Sequence, residues 1–305
     1  MTQLLDLFEA APLLRDIKLV HLLPDSSNAS AERTVTLPHL RSLAIYAQPA
    51  HSILLNRLRI PTGAMVSLEF DPLRRSPPML DYPPKSLGNL SNTSHITSIS
   101  LDFSGLGITM QLKGPSGGLL MSSAWAFQSL TSPEFDHLAL QALEGLPISP
   151  TERLAIHRCY FLALPETEET TAYQTLFPMN NLRTLTVAGC TNLPLLVALN
   201  PTRNTSNTVV CPYLKELILY AQTREEELYT ESLLEMAKGR ASIGAGLSTI
   251  AIASRWEVIS EDELSDLRGC VQHVEYRECD KVGPATPDEV GHNNGRSVRD
   301  WNLIV

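Results

Sequence analysis

The sequence predicts an α/β fold, an irregular solenoid in which a curved parallel sheet carries its helices on the outer side. A phrase made of a leucine, a basic residue and then alternating aliphatic residues returns along the 305-residue chain, beginning at Leu14, Leu40, Leu182 and Leu214. Helix-like segments alternate with these strand-like phrases. A repeated unit of this size cannot bury its apolar face alone, so neighbouring units must stack on one another.

The strand-like segments recur at a nearly regular interval. Their expected centres are Ile17, Leu43, Leu68, Ile99, Leu138, Leu154, Leu185, Leu217, Ile250 and Val274. The mean interval of about 29 residues lies at the upper end of the leucine-rich-repeat range, and its scatter indicates insertions on the side away from the strands.

Helix-like segments precede or separate these strands. The first covers Gln3 to Ala10 and stops at Pro12, which cannot continue a helix. Further amphipathic segments are Ser52–Leu58, Leu193–Leu199, Tyr229–Arg240 and Glu261–Leu267. Ser260, followed by three acidic residues, is the clearest N-cap among them. Because helices and strands alternate, the strands should be parallel and joined by right-handed crossovers.

Two stretches interrupt the repeats. The range 71–95 contains five prolines and is too proline-rich for a central strand, so we expect a loop. The range 105–118 is glycine-rich, but Ile108 to Leu112 alternates well enough that an extra strand stays an open alternative. We predict one solenoid domain over residues 1–280 and a polar tail with an apolar end over residues 281–305.

The composition limits the kinds of partner and the cellular compartment that we expect for this protein. The net charge of −9 and the absence of a basic stripe argue against nucleic acid, and no window approaches the ~18 apolar residues of a membrane helix. Asp6 and Glu9 interrupt the apolar N-terminal stretch, unlike a secretory signal. The five cysteines form no Cys-x-x-Cys pair, as expected of reduced thiols. We therefore expect an intracellular protein, cytoplasmic or nuclear.

The sequence contains no catalytic, metal-binding or cofactor-binding signature. It has neither His-Glu-x-x-His nor a P-loop, and the glycines of 114–118 lack the lysine of a phosphate cradle. His157 and Cys159 lie two apart on a predicted strand, a spacing that simply places them on one face. We expect a protein that is not an enzyme and holds no cofactor. The alternative is a hydrolase or transferase whose site is assembled from the loops 71–95 and 105–118.

The alternation also predicts a binding surface. Leucines of each strand point into the core, so the residues between them line the concave face. Charged and aromatic members of that set are the candidate partner-binding residues: Asp16, Lys18, Tyr46, Glu69, Asp102, His157, Glu216, Tyr220 and Glu275. Acids concentrate in the N-terminal half, which would suit a basic or polar segment of a protein partner.

Two stretches carry a resemblance to a known family. Ala11-Pro12-Leu13-Leu14-Arg15 and Leu37-Pro38-His39-Leu40-Arg41-Ser42-Leu43 are similar to the repeat pattern of fungal F-box/leucine-rich-repeat proteins, especially the mushroom type. The resemblance extends from the first helix to Val274. It implies that the repeats recruit a substrate for a ubiquitin ligase. In that family, an N-terminal F-box binds the Skp1 adaptor of the ligase.

The chain departs from that family at its start. The first repeat begins almost at Met1, so we expect no F-box within it, and a Skp1-type partner only if an F-box lies outside this chain. Two alternatives stay open: part of a longer adaptor, or a stand-alone repeat protein that lost the ligase connection.

Overall fold

The structure is a computed structural model that describes residues 2–20, 33–47, 54–55, 57–70, 95–104, 107–124, 148–157, 176–188, 193–203, 209–221, 229–254 and 259–278. These residues form a mixed α/β protein with a large, mostly parallel sheet and few helices. The expected strand around Leu138 and the tail over 281–305 lie outside the described residues.

The strands account for most of the regular structure. They are β1 (Asp16–Val20), β2 (Val35–Thr36), β3 (Ser42–Ala47), β4 (Leu58–Arg59), β5 (Met65–Phe70), β6 (Ser98–Ser104), β7 (Gly107–Lys113), β8 (Gly118–Ala124), β9 (Arg153–His157), β10 (Thr184–Ala188), β11 (Glu216–Ala221), β12 (Thr249–Ser254) and β13 (His273–Glu278). Eleven form one sheet in the order β1-β3-β5-β8-β7-β6-β9-β10-β11-β12-β13, and β2 pairs with β4 separately. Every predicted strand centre that falls on described residues is confirmed.

Four helices are described, α1 (Thr2–Ala10), α2 (Leu193–Leu199), α3 (Thr230–Ser242) and α4 (Glu261–Arg268). They confirm four of the predicted helical segments. The fifth predicted helical segment, Ser52–Leu58, is confirmed in part: Leu54, Leu55 and Arg57 adopt a 3-10 conformation, Leu58 begins β4, and residues 52, 53 and 56 lie outside the described residues. Leu58 pairs with Val35 of β2, so a strand contact made far along the chain overrides the local helical pattern.

The cap of α4 follows the sequence expectation. The Ser260 hydroxyl accepts from the backbone N–H of Glu263 at 3.3 Å, and the Glu263 carboxylate accepts from the backbone N–H of Ser260 at 2.8 Å. This reciprocal capping box satisfies donors that the first turn leaves unpaired. The same carboxylate accepts from the Thr230 hydroxyl at the start of α3. These hydrogen bonds, that of Thr230 first, lower the pKa of Glu263.

Each strand of the large sheet sends alternate residues into the core, and the register aligns them in two rows. One row is Ile17, Leu43, Val66, Leu119, Leu112, Ile99, Leu154, Leu185, Leu217, Ile250 and Val274. The other is Leu19, Ile45, Leu68, Met121, Met110, Leu101, Ile156, Val187, Leu219, Ile252 and Tyr276. Nearly all of these side chains are buried, and they belong to one hydrophobic core cluster that includes buried residues of the helices.

The recurring motif of a leucine followed by a basic residue lies in a turn that immediately precedes a strand. The backbone N–H of Leu14, Leu40, Leu182 and Leu214 each donates to the carbonyl three residues earlier, at 3.0 to 3.2 Å. The residue after the leucine then bonds across to the neighbouring strand start, as Arg183 N–H does to the Glu152 carbonyl at 2.8 Å. This local geometry therefore brings β3, β10 and β11 into register with the strand before each of them.

The sheet departs from the expected all-parallel arrangement at its centre. β7 runs antiparallel to both β6 and β8, and the three-strand meander is inserted in reverse, so that β5 pairs with β8 and β6 pairs with β9. The open alternative of an extra strand over Ile108–Leu112 is thus resolved in favour of β7, with β8 as a further strand. The all-parallel prediction is wrong here because only two residues separate β6 from β7 and only four separate β7 from β8, too few for the crossover that parallel pairing of consecutive strands requires.

Candidate protein-binding face

The large sheet has one aliphatic face, which belongs to the core, and one polar face. The buried side chains of α1, α2, α3 and α4 join the core cluster, so these helices lie on the aliphatic side. The residues between the core positions make up the opposite side, which we call the polar face. The register arranges them in three rows that cross all eleven strands.

The first row lies where the parallel strands begin: Asp16, Ser42, Met65, Gly118, Lys113, Ser98, Arg153, Thr184, Glu216, Thr249 and His273. The middle row is Lys18, Ala44, Ser67, Leu120, Gln111, Ser100, Ala155, Thr186, Ile218, Ala251 and Glu275. The third row is Val20, Tyr46, Glu69, Ser122, Thr109, Asp102, His157, Ala188, Tyr220, Ala253 and Arg277.

All nine candidate residues named from the sequence occupy this face. Tyr46, Glu69, Asp102, His157 and Tyr220 share the third row. Within that row Tyr46 is next to Glu69, and Asp102 is next to His157. Of these five, Glu69 is exposed and the others are half-buried.

The remaining four candidates are spread over distant strands. Asp16 and Lys18 lie on β1, Glu216 on β11 and Glu275 on β13, and all but the half-buried Glu216 are exposed. They do not converge with the third-row residues into a single pocket. The arrangement is therefore an extended surface.

Several of these side chains already contact a neighbour on the face. The Lys18 ammonium lies 5.0 Å from the centre of the Tyr46 ring, within the range of a cation–π contact. The Thr184 hydroxyl donates to Glu216 at 3.0 Å, and Arg277 donates to Glu275 at 3.3 Å. Such contacts hold long side chains against the sheet, which reduces the entropy that a partner must remove on binding.

The sequence reasoning missed the part of the face that β7 contributes, namely Lys113, Gln111 and Thr109. Lys113 stands in the first row, with Ser98 between it and Arg153. The face thus carries positive charge near its centre. The acidic part of the face, expected to cover the N-terminal half, is therefore shorter than predicted, because basic and acidic residues are already mixed at β7. The alternating pattern over Ile108–Leu112 was the signal that could have found these residues.

The middle row differs from the rows beside it. Between Lys18 at one edge and Glu275 at the other, every residue from Ala44 to Ala251 in the row is uncharged, and most are small. Gln111 and Thr186 are its most buried polar members, with 8% and 5% of their surface exposed. The middle row is therefore an uncharged strip, apart from its two ends, between the first and third rows, which carry most of the charged residues.

Among the described residues, the third row places no hydroxyl or thiol directly beside His157, whose neighbours in the row are Asp102 and Ala188. Thr109 is two strands away, about 10 Å at the usual strand spacing and beyond hydrogen-bond reach of a histidine base. Cys159, which the sequence places two residues after His157, lies outside the described residues. In the described part of the chain, no group of three or more His, Cys, Asp or Glu side chains is placed to hold a metal ion.

A shallow cavity of about 600 Å³ lies on the helical side, lined by Thr202, Arg203, Glu235, Lys238, Gly239 and Ser242. The Arg203–Glu235 ion pair, at 2.9 Å, links two of its residues. Both side chains are about half exposed, so the pair contributes little to stability. This cavity is separate from the polar face.

No helix in the described ranges has the length and hydrophobicity that crossing a bilayer demands.

Comparisons with known proteins found no matching family model, no matching curated protein and no matching solved structure.

Proposed function

We propose that this chain is a protein-binding scaffold: a leucine-rich-repeat solenoid that presents its polar face to a protein partner. The observation that carries the proposal is the polar face itself. It crosses eleven strands, places all nine candidate residues on one side and leaves the described helices on the other. A broad surface of this kind suits a macromolecule better than a small ligand, which favours an enclosed, mostly apolar pocket.

The proposed partner is the substrate of a ubiquitin ligase, recruited as in F-box/leucine-rich-repeat adaptors. The repeated turn-and-strand phrase at Leu14, Leu40, Leu182 and Leu214 supports this reading. The connection to a Skp1-type adaptor then depends on an F-box joined to these repeats. The chain acts by binding, not by catalysis, and we propose an intracellular location, cytoplasmic or nuclear.

Charge reversal on the face tests this proposal. In one variant Asp16, Glu69 and Asp102 are all replaced by Lys. Proteins that co-purify with the tagged wild-type chain are identified by quantitative mass spectrometry, and the same set is measured for the variant. We expect the proteins specific to the wild type to fall several-fold, because complementary charge steers encounter and fixes orientation.

A matched control carries the same charge change on the helical side, with Glu231, Asp262 and Asp266 replaced by Lys. These three residues are exposed and belong to α3 and α4. Circular dichroism confirms that both variants are folded. An unchanged set of captured proteins in the face variant, or an equal loss in the control, would overturn the proposal.

A further inference from the structure

Gln111 and Thr186 stand out among the polar-face residues because both are polar and more than nine-tenths buried. Their exposed fractions are 8% and 5%. Their polar side-chain atoms are not among the wholly buried, unpartnered atoms in the described part of the chain, so they stay accessible from the open side of the sheet. Both groups are therefore ready to accept a partner from the open side of the sheet.

The positions of Gln111 and Thr186 in their strands show from which side of the sheet a partner could reach them. On β7, Gln111 lies between the core residues Met110 and Leu112, so its side chain projects from the opposite, polar face. Thr186 has the same relation to Leu185 and Val187 on β10. The register runs from Gln111 through Ser100 and Ala155 to Thr186, so both residues point into the middle row.

The surroundings limit the chemistry of the partner. No charged residue stands in the middle row between Lys18 and Glu275, so a phosphate or another charged group would find no counter-ion in the row itself. Ala155 and Ser100, between the two polar groups, have small side chains that let a backbone approach closely. A carboxamide both donates and accepts, and a hydroxyl does the same, which matches the two hydrogen-bonding groups of a peptide unit.

The spacing fits an extended chain. Gln111 and Thr186 are three strand spacings apart, about 14 Å, and an extended peptide rises about 3.3 Å per residue. About four residues therefore separate the peptide units that would meet the two side chains. Residues an even number apart on an extended chain point to the same side, so both contacts can be made by one straight segment.

We propose that the middle row binds an extended, uncharged segment of a partner protein, and that Gln111 and Thr186 hydrogen-bond to its backbone. This inference rests on the proposed scaffold function and names the kind of segment that the polar face recognises. The first and third rows then contact side chains on either flank of the segment. The site runs from β7, where the sheet departs from the parallel arrangement, across β6 and β9 to β10.

The probe for the test is a displayed library of random 16-residue peptides, selected against the full chain. We expect the enriched peptides to share an uncharged core of at least four residues. A synthesised member should bind the Gln111→Leu variant roughly three- to tenfold more weakly than wild type in fluorescence anisotropy, the range for one neutral hydrogen bond. Thr186→Val should weaken it similarly. The matched controls Gln272→Leu and Thr36→Val, both at exposed positions away from the middle row, should leave binding unchanged.

A second measurement leaves the protein intact, in case Gln111→Leu fails to fold. Each backbone nitrogen of the selected peptide is methylated in turn. Methylation should weaken binding to wild type at one or two positions of the peptide, and if there are two they should lie about four residues apart. Methylation of the nitrogen that contacts Gln111 should not weaken binding to the Gln111→Leu variant any further.

The inference is overturned if no peptide is enriched, if the shared core is charged, or if binding is the same in Gln111→Leu and Thr186→Val as in wild type. Those outcomes leave the scaffold proposal standing as long as charge reversal at Asp16, Glu69 and Asp102 still removes captured proteins. Failure of both experiments would reject the scaffold as well.

Discussion

At the scale of single residues, Arg240 near the C-terminal end of α3 is the most consequential buried group. Its side chain is fully buried and donates to four backbone carbonyls: Ala245 at 3.2 Å, Leu199 at 3.4 Å, Val210 at 3.0 Å and Cys211 at 2.8 Å. Burial lowers the pKa of this guanidinium. The side chain joins the end of α2 and the turn before β11 to α3.

Replacing Arg240 by Met should destabilise the fold by about 3–5 kcal/mol, because the carbonyls of Val210 and Cys211 lose a buried donor. Urea denaturation followed by circular dichroism measures the change. Lys238→Met, at an exposed position on the same helix, is the control and should stay within about 0.5 kcal/mol of wild type. A loss below about 1 kcal/mol at Arg240 would show that water takes over these carbonyls.

Cys211, beside Arg240, is a buried thiol with an unusual backbone conformation. Its φ is +48°, in the left-handed region, and its thiol donates to the Leu176 carbonyl at 3.4 Å. Burial raises the pKa of this thiol from 9.0 to about 12, with a smaller opposing effect from Arg240. The folded protein therefore holds the proton more tightly than the unfolded chain does.

This shift predicts a pH dependence of stability at the alkaline side. The contribution of the protonated Cys211 is complete below pH 9 and is lost as the pH rises from 9 towards 12, by up to about 1.4 kcal/mol per pH unit. Urea unfolding at pH 8.5, 9.5 and 10.5 should give a steeper decline for wild type than for Cys211→Ala. Parallel slopes for wild type and Cys211→Ala would contradict the assignment.

At the scale of elements, the turn between β7 and β8 is fixed by a close approach of two backbones. A Cβ on Gly117 would lie 2.3 Å from the Thr62 carbonyl oxygen and 2.8 Å from that of Ala64. Both are backbone atoms, which cannot swing aside as a flexible side chain can. The glycine thus allows β8 to enter the sheet directly beside β5.

Gly117→Ala should cost about 2–3 kcal/mol, because the turn and the start of β5 must move apart. Thermal or urea unfolding checks the change. Gly246→Ala is the matched control: the nearest atom to its Cβ would be Ala241 Cα at 3.5 Å, an ordinary contact, so we expect a change within about 1 kcal/mol. Equal effects at the two positions would mean that the β7–β8 turn is not constrained in this way.

Local pattern and local structure agree for most elements. Apolar spacing predicted α2 and α3, and the serine followed by three acids predicted the capped start of α4, because caps and amphipathic faces depend on residues close together in the chain. The helical segment expected over Ser52–Leu58 ends before Leu58 for the opposite reason. Leu58 pairs with Val35, and a distant strand pairing does not show in a local window.

At the scale of the whole molecule, the two aliphatic rows run through the entire large sheet, and each strand contacts only its neighbours. The edge strands β1 and β13 each pair on one side only. The side chains of β13 are all exposed or half-buried, whereas β10 has four of its five residues buried. Protection of the backbone should therefore be graded along the sheet.

Hydrogen exchange followed by mass spectrometry should show this gradation. In a repeat architecture stability adds up from neighbouring units, so peptides from β13 should exchange well before those from β10 and β11. The interior strands should share one slow exchange rate. Equal protection of β10 and β13 would instead indicate a sheet that opens only by global unfolding, and would count against the proposed solenoid.

In the candidate face, as in the fold, some features could be predicted from the local sequence and others depend on which strands are neighbours. Alternation was enough to put Asp16, Glu69 and Tyr220 on the polar side, because the side-chain period of a strand is local. That Asp102 lies beside His157, or that Lys113 joins the same face, depends on which strands are neighbours. The sequence contained no signal for the reversed insertion of the meander, since pairing of β5 with β8 is a contact over a long separation.

Nine strands with their buried faces, the four described helices and the cap of α4 could be predicted from the amino-acid sequence, because each depends on residues that lie close together in the chain. The strand order, the antiparallel β7, the burial of Arg240 among backbone carbonyls and the burial of Gln111 and Thr186 follow only from contacts made in the folded chain. The physical reason is the range of the interactions involved. Propensity and periodicity act between near neighbours, whereas burial and hydrogen-bond partners are set by segments that meet only once the chain has folded.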